Sequence, residues 1–201
     1  MRFPLSSSIG AIFFVLTIGF STAAWADDDA GSTSDTTETG PHRHGFTLEL
    51  GIGVGGTDVS YGSNSAGPRY GGGGPGLSGL SLSLGGYITP DIAIVARAAG
   101  TSYWSDFGQG TKQIVSGVYG ASVIGWIGDF YLSGGPGLAV FVPADAVSVD
   151  LMEGFGLDLR AGYAFLDTKH NALTLGLEAL PAFYSGTTVV GGALNFEWHY
   201  F

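Results

Sequence analysis

The chain of 201 residues has no cysteine. That excludes disulfides, thiolate metal sites, a thiol nucleophile and a lipid anchor on an N-terminal cysteine. Charge is scarce as well: Asp, Glu, Lys and Arg make up 12% of the residues, about half the share of an ordinary soluble domain. Lysine occurs only at Lys112 and Lys169. Acidic residues outnumber basic ones 17 to 7, giving a net charge of −10, and no basic patch offsets them, which excludes a nucleic-acid partner. Hydrophobic residues reach 45%, yet beyond residue 24 no apolar run approaches the roughly 18–20 residues of a spanning helix. Glycine is abundant, at 36 residues, but lacks the strict period of three that collagen requires.

The N-terminus carries processing sequence. Arg2 supplies a positive start, Ile9 to Phe20 an apolar core, and Ala24-Trp25-Ala26 a cleavage site, so residues 1–26 read as a signal peptide. Residues 27–44 are mostly Asp, Ser, Thr and Gly with little to bury, and are expected to form a disordered acidic leader. His42 and His44, flanking Arg43, read as linker histidines rather than as a metal pair. Residues 45–201 form the remaining domain.

From Gly45 onward the sequence alternates with period two, the signature of half-buried strands. Phe46, Leu48, Leu50, Ile52 and Val54 oppose Thr47, Glu49 and three glycines. Leu80, Leu82, Leu84 and Ile88 oppose Ser81, Ser83, Gly85 and Tyr87, and Ile92 and Ile94 oppose Ala93, Val95 and Arg97. The fourth segment, 112–127, is apolar on both faces, and its membrane face is assigned to the even positions ending at Trp126. Phe130, Leu132 and Leu138 oppose Tyr131, Ser133 and Ala139; Phe155, Leu159 and Tyr163 oppose Asp158 and Arg160. Leu173, Leu175 and Leu177 oppose Thr174 and Glu178; Leu194, Phe196, Trp198 and Tyr200 oppose Asn195, Glu197 and His199. This makes eight strands of about 10–13 residues, enough for the about 9–11 that a tilted spanning strand needs.

The connections alternate long and short: 57–75, Thr89-Pro90-Asp91, 104–111, Gly128-Asp129, 143–153 and 167–171, with a short last one at Ser185 to Thr188. Pro136 and Pro181 lack a ladder donor, so each is expected at a bulge or a strand rim.

Alternation does not say which face is outside; charge does. A water-facing exterior carries roughly 25–35% charged residues, and this chain lacks them. The face opposite the apolar one is largely Gly, Ser, Thr and Ala, which suits a narrow interior. A closed barrel satisfies every backbone group in lipid. The expected fold is therefore all-β, an eight-stranded antiparallel up-and-down transmembrane β-barrel. On its strand count, its signal peptide and the aromatic last strand Asn195-Phe196-Glu197-Trp198-His199-Tyr200-Phe201, the chain resembles the small eight-stranded outer-membrane β-barrel proteins of Gram-negative bacteria, the group of the OmpA-type transmembrane domain and OmpX-like proteins. The resemblance implies an outer-membrane location with both termini periplasmic, outer-membrane lipid as surroundings, and a monomer. It also implies delivery by the barrel-assembly machinery, with Phe201 as part of the assembly signal, although Phe201 is one step out of phase with the outward residues. The peptidoglycan-anchoring role of the two-domain relatives is not expected of it.

With the apolar face outward, the ionisable residues inside are Glu49, Arg97, Asp158, Arg160, Glu178 and Glu197. In so narrow a lumen they are expected to pair as an internal polar network. Tyr87, Trp126, Tyr163, Trp198 and Tyr200, near strand ends, are expected to act as aromatic anchors at the headgroup level. Tyr61, Asn64, Arg69 and Tyr70 mark the loop 57–75 as the candidate binding surface. The glycines of Gly71 to Gly74 lie in a loop rather than between strand and helix, so no cofactor is expected. Neither His170 nor His199 has a serine and an orienting acid in a convincing arrangement. The leading expectation is a non-catalytic barrel with a structural or loop-display role. A narrow ion or small-solute pore and a rim-located lipid-modifying acyl hydrolase are the alternatives.

Overall fold

A computed structural model of the chain describes residues 43–61, 74–106, 111–142 and 152–201. The strands are β1 (Phe46–Tyr61), β2 (Gly74–Thr89), β3 (Ile92–Asp106), β4 (Thr111–Ile127), β5 (Phe130–Val142), β6 (Met152–Asp167), β7 (Asn171–Tyr184) and β8 (Thr187–Tyr200). Each pairs antiparallel with the next, and β1 closes on β8 from Leu48↔Tyr200 to Tyr61↔Thr187. The chain is therefore a closed eight-stranded up-and-down barrel. Closure removes every free edge, so the backbone is satisfied without water.

Pro90-Asp91, Gly128-Asp129 and residues 168–170 make the tight turns at one end, where β1 begins and β8 finishes. The glycine turns need left-handed backbone at Gly128 (φ 61°) and, at the opposite end, Gly186 (φ 74°). The sheet extends further than alternation suggested: β1 runs through Tyr61 and β2 starts at Gly74, shortening the expected loop 57–75 from both sides. The signal peptide and most of the leader lie outside the described residues, as do Asn64, Arg69 and Tyr70.

Apolar side chains face outward, as the alternation indicates. Phe46, Ile52, Leu82, Ile94, Leu132, Phe155, Leu177 and Phe196 are among the exposed ones, whereas Glu49, Arg97, Arg160 and Glu197 are buried. Strand β4 is the exception to the expected phase. Its even residues Ile114, Val118, Ile124 and Trp126 are buried inside, and Val115, Tyr119, Val123 and Ile127 face out. Register explains the correction. Arg97 faces the lumen and pairs with Gly120, so the even positions of β4 must follow it inward.

Pro136 sits in mid-strand, paired with Leu157, whereas Pro181 pairs with Val190 three residues before the end of β7, close to the rim. Each faces an interruption on its other side, between Gly120↔Gly137 and Val123↔Gly134 and between Gly156↔Ala182 and Leu159↔Ala179. The ladder skips there without slipping, so neither marks a bulge. Register shifts occur elsewhere, including one between Ala164 and Leu166. That shift leaves Phe165 and Leu166 both exposed and reverses the phase, directing Asp167 toward Arg43.

The interior has three levels. At the end opposite the tight turns, Val59, Tyr103, Ile114, Val118, Phe141, Leu180, Tyr184 and Val189 pack as an apolar layer. At the turn end, Trp126, Tyr131, Val95, Ile124 and Phe201 form a second cluster, with Tyr87 against it. Charged and polar side chains fill the space between.

Candidate functional site

Six charged side chains from five strands meet at mid-height. Their convergence follows from alternation, since each lies on the small-residue face of its strand and that face turns inward. Arg97 is the hub. Its Nε is 3.1 Å from Asp158, its Nη1 donates to Ser83 Oγ at 3.0 Å, and its Nη2 donates to Glu178 Oε1. Glu49 and Glu197 lie 3.8 and 4.0 Å from the same guanidinium. Arg160, from the facing wall, donates through Nη1 to Glu49 at 3.0 Å and to Glu197 at 3.4 Å, and through Nη2 to Ser133 at 3.0 Å. Its Nε is 3.8 Å from Asp158. Fixed guanidinium forks suit this arrangement, because each serves several carboxylates at once.

Polar neighbours that carry no formal charge complete the belt. Ser122 donates to Asp158 at 2.8 Å, Asn195 to Glu178 at 2.8 Å, and the Tyr131 hydroxyl to Glu197. Tyr131 reaches that far because it lies along the wall over two glycines. A Cβ on Gly162 would fall 2.3 Å from its ring, and one on Gly176 2.6 Å from its hydroxyl. His199 joins from the last strand, with Nδ1 3.2 Å from Glu49 and Nε2 3.1 Å from Thr174 Oγ1. Sequence reasoning placed His199, Tyr131, Thr174 and Asn195 on the inward face but left all four out of the network. The signal available for all four was their phase with Glu49, Arg97 and Glu197.

The turn end is sealed by aromatic side chains and one cation. Arg43, counted in the leader on composition, is buried; its guanidinium stacks 3.9 Å from the Trp126 ring, lies 5.4 Å from that of Phe201, and pairs with Asp167. Phe201 packs edge-on against Tyr87 and Trp126, and its backbone N–H donates to the His170 carbonyl. Two of the five expected anchors are therefore interior residues: Trp126 is buried, and Tyr87 packs inward beside it. The phase of β4 accounts for Trp126. Tyr163, Trp198 and Tyr200 do point outward near the turns, with Trp198 Nε1 donating to Asn171 Oδ1 at 3.0 Å.

Among the described residues no group of three or more His, Asp and Glu side chains could hold a metal ion. His199 meets Glu49, Glu197 and a threonine, and His170 is exposed in a turn. Among the described residues neither is shown paired with a serine.

An outward apolar sheet, a closed eight-strand ring and a polar belt sealed inside define the chain as a small transmembrane β-barrel of the outer-membrane type. Solved structures agree on the fold. Neisserial surface protein A (NspA) aligns with a TM-score of 0.56 at 16% identity, over 77% of this chain and 96% of that one. Outer membrane protein AlkL, solved by solid-state NMR in DMPC bilayers, aligns with a TM-score of 0.53 at 12% identity, over 85% and 96%. No protein-family model and no curated protein matches the sequence.

Proposed function

We propose that the chain is a non-catalytic barrel of the outer membrane, a monomer with a closed lumen, whose role lies in strengthening the envelope or in binding through its long connections. The observation that carries this reading is the filled interior. Ile114, Phe141 and Val189 on one side of the belt and Trp126, Tyr131 and Phe201 on the other are all buried. An eight-strand ring has room for side chains or one small ligand, while aqueous porins use about sixteen strands or more.

The short turns and both chain ends take the periplasmic side, since outer-membrane barrels keep short turns there and long loops outside. Tyr163, Trp198 and Tyr200 then stand at the inner headgroup level. Residues 1–26 direct export, and the barrel-assembly machinery inserts the chain. Because the folded barrel buries Phe201, any recognition of that side chain precedes closure. Tyr61, the last residue of β1, and Asn64, Arg69 and Tyr70, which follow it in the sequence before β2, serve as the binding candidates. NspA, named as a surface protein, offers a parallel for this display role.

Planar-bilayer recording of the purified full chain tests the reading. Very small conductance or none is expected, and steady large openings from a monomer would replace the closed barrel by a channel. Recovery from a Gram-negative envelope as a detergent-free periplasmic protein would refute insertion.

A further inference from the structure

The outer wall of the barrel is not uniformly covered by large side chains. Across β4 to β7 the register sets Gly125, Leu132, Ala161 and Leu177 side by side, with Val123, Gly134, Leu159 and Ala179 in the next row away from the turns. Large and small residues alternate within each row and are offset between the rows. The small ones therefore run as a zigzag floor, walled by Leu132 and Leu177 on the turn side and by Val123 and Leu159 on the other. The result is an open trough of about 650 Å³. We propose that this trough is a docking site for one acyl chain of a membrane phospholipid, recognised by the shape of the hydrocarbon and not by the headgroup.

The four wall residues are exposed, so the trough is continuous with the apolar face that the transmembrane barrel presents to lipid. Hydrocarbon is the solvent there, and apolar burial alone favours no position over another. Close packing decides where a chain stays. A flat patch touches a chain along one side. The trough adds two walls of branched side chains, and its glycines and alanines let the chain approach the backbone.

Gly125 points to an occupant most directly. It is not among the glycines held at positive φ, which are Gly45, Gly128 and Gly186 among the described residues. A Cβ built on it would come no nearer to a neighbour than 4.0 Å, from the Leu132 carbonyl oxygen. Gly162 and Gly176, by contrast, make room for the Tyr131 side chain. The space that Gly125 leaves is taken by no atom of the barrel and opens toward the lipid.

The floor is also held firm before anything binds. Ser133, Arg160 and Glu178 line the same stretch of wall with their side chains turned inward. There Arg160 donates to Ser133 at 3.0 Å, and Glu178 accepts from Asn195 at 2.8 Å and from Arg97. The charged belt thus braces the trough from within, so docking costs the freedom of the chain and little of the protein's own.

The test takes the full chain inserted in phosphatidylcholine vesicles, transfers it to mild detergent and weighs it intact by native mass spectrometry. A complex with one phosphatidylcholine should stand above the falling series that random carry-over gives. Gly125→Leu enters open space without a clash, so it should insert as the parent does and reduce the one-lipid complex severalfold. Ala161→Leu fills the middle of the floor and should do the same; if either variant fails to insert, the other decides. Ile52→Ala, on the lipid face of β1, should leave the complex unchanged, and phosphatidylglycerol with the same chains should bind equally well. A parent that does not insert would remove the transmembrane barrel on which the inference rests, and the trough with it. An inserted parent with no preferred one-lipid complex, or a complex that survives filling, overturns the trough alone. A marked headgroup preference overturns recognition by the chain, and a pair of barrels that Gly125→Leu separates would give the trough to a second copy instead.

Discussion

Two levels of the same lumen solve burial in opposite ways. The layer far from the turns is mainly apolar, with Ile114, Phe141 and Val189 fully buried. The belt at mid-height is charged, with Glu49, Arg97, Asp158, Arg160, Glu178 and Glu197 no more accessible than those apolar neighbours by more than a few per cent. In the apolar layer each side chain contributes through its own packing, and a loss stays local. In the belt each charge is tolerable only because others answer it, so a loss is shared. The lumen is therefore stiff by packing at one level and by electrostatic interdependence at the other.

The sharpest way to expose that difference is Arg97→Met. It would leave Glu178 with the hydrogen bond from Asn195 and weaken the hold on Asp158, Glu49 and Glu197. The expected loss is about 3–5 kcal/mol, the cost of stranding buried charge, read as a lower denaturant midpoint in detergent or lipid. Adding Glu178→Gln should restore part of it, because the second change removes a charge the first has orphaned. A strictly additive pair would mean that the belt is not interdependent. In the apolar layer, Ile114→Ala should cost about 2–4 kcal/mol from lost contacts and the cavity left behind. Combined with Arg97→Met, Ile114→Ala should add, since separate levels share no partner.

The belt was more legible in the sequence than the apolar layer, for a physical reason. A charge on the glycine-rich face of an otherwise apolar strand has one reading, so Glu49 or Arg160 shows its direction alone. The apolar layer depends on β4, where both faces are hydrophobic and size does not discriminate. A subtler cue was present: Ser116, Gly120 and Ser122 sit at even positions, while the odd ones run Val115, Gly117, Tyr119, Ala121 and Val123. Small polar residues mark the lumen even when Ile and Trp accompany them. Tyr131 was placed inward correctly, but its reach to Glu197 depends on Gly162 and Gly176 on two other strands, and no single strand records that. Arg43 was hidden differently, because its neighbours in sequence resemble a linker while its partners Trp126 and Asp167 are far along the chain.

Arg43 also supplies the smallest and last test, since it lies between the two chemistries. It is a buried cation like Arg97, yet among the described residues it pairs with one carboxylate, Asp167, and has an aromatic surface in place of more carboxylates. Asp167 retains 14% side-chain exposure, so water at the turn end can solvate it once the pair is lost. Arg43→Gln should therefore cost only about 1–2 kcal/mol, the scale of a desolvated cation–π contact with a partly screened ion pair. Arg43→Met separates the contributions, since it keeps apolar cover over Trp126 while removing the charge. If stacking dominates, the Met variant should unfold nearer the parent than the Gln variant; if the ion pair dominates, both should fall together. A loss as large as that of Arg97→Met would make the turn-end seal a true extension of the belt. A Trp126 emission spectrum unchanged in either variant would show that Arg43 does not cover the ring, and would remove the cation from the seal.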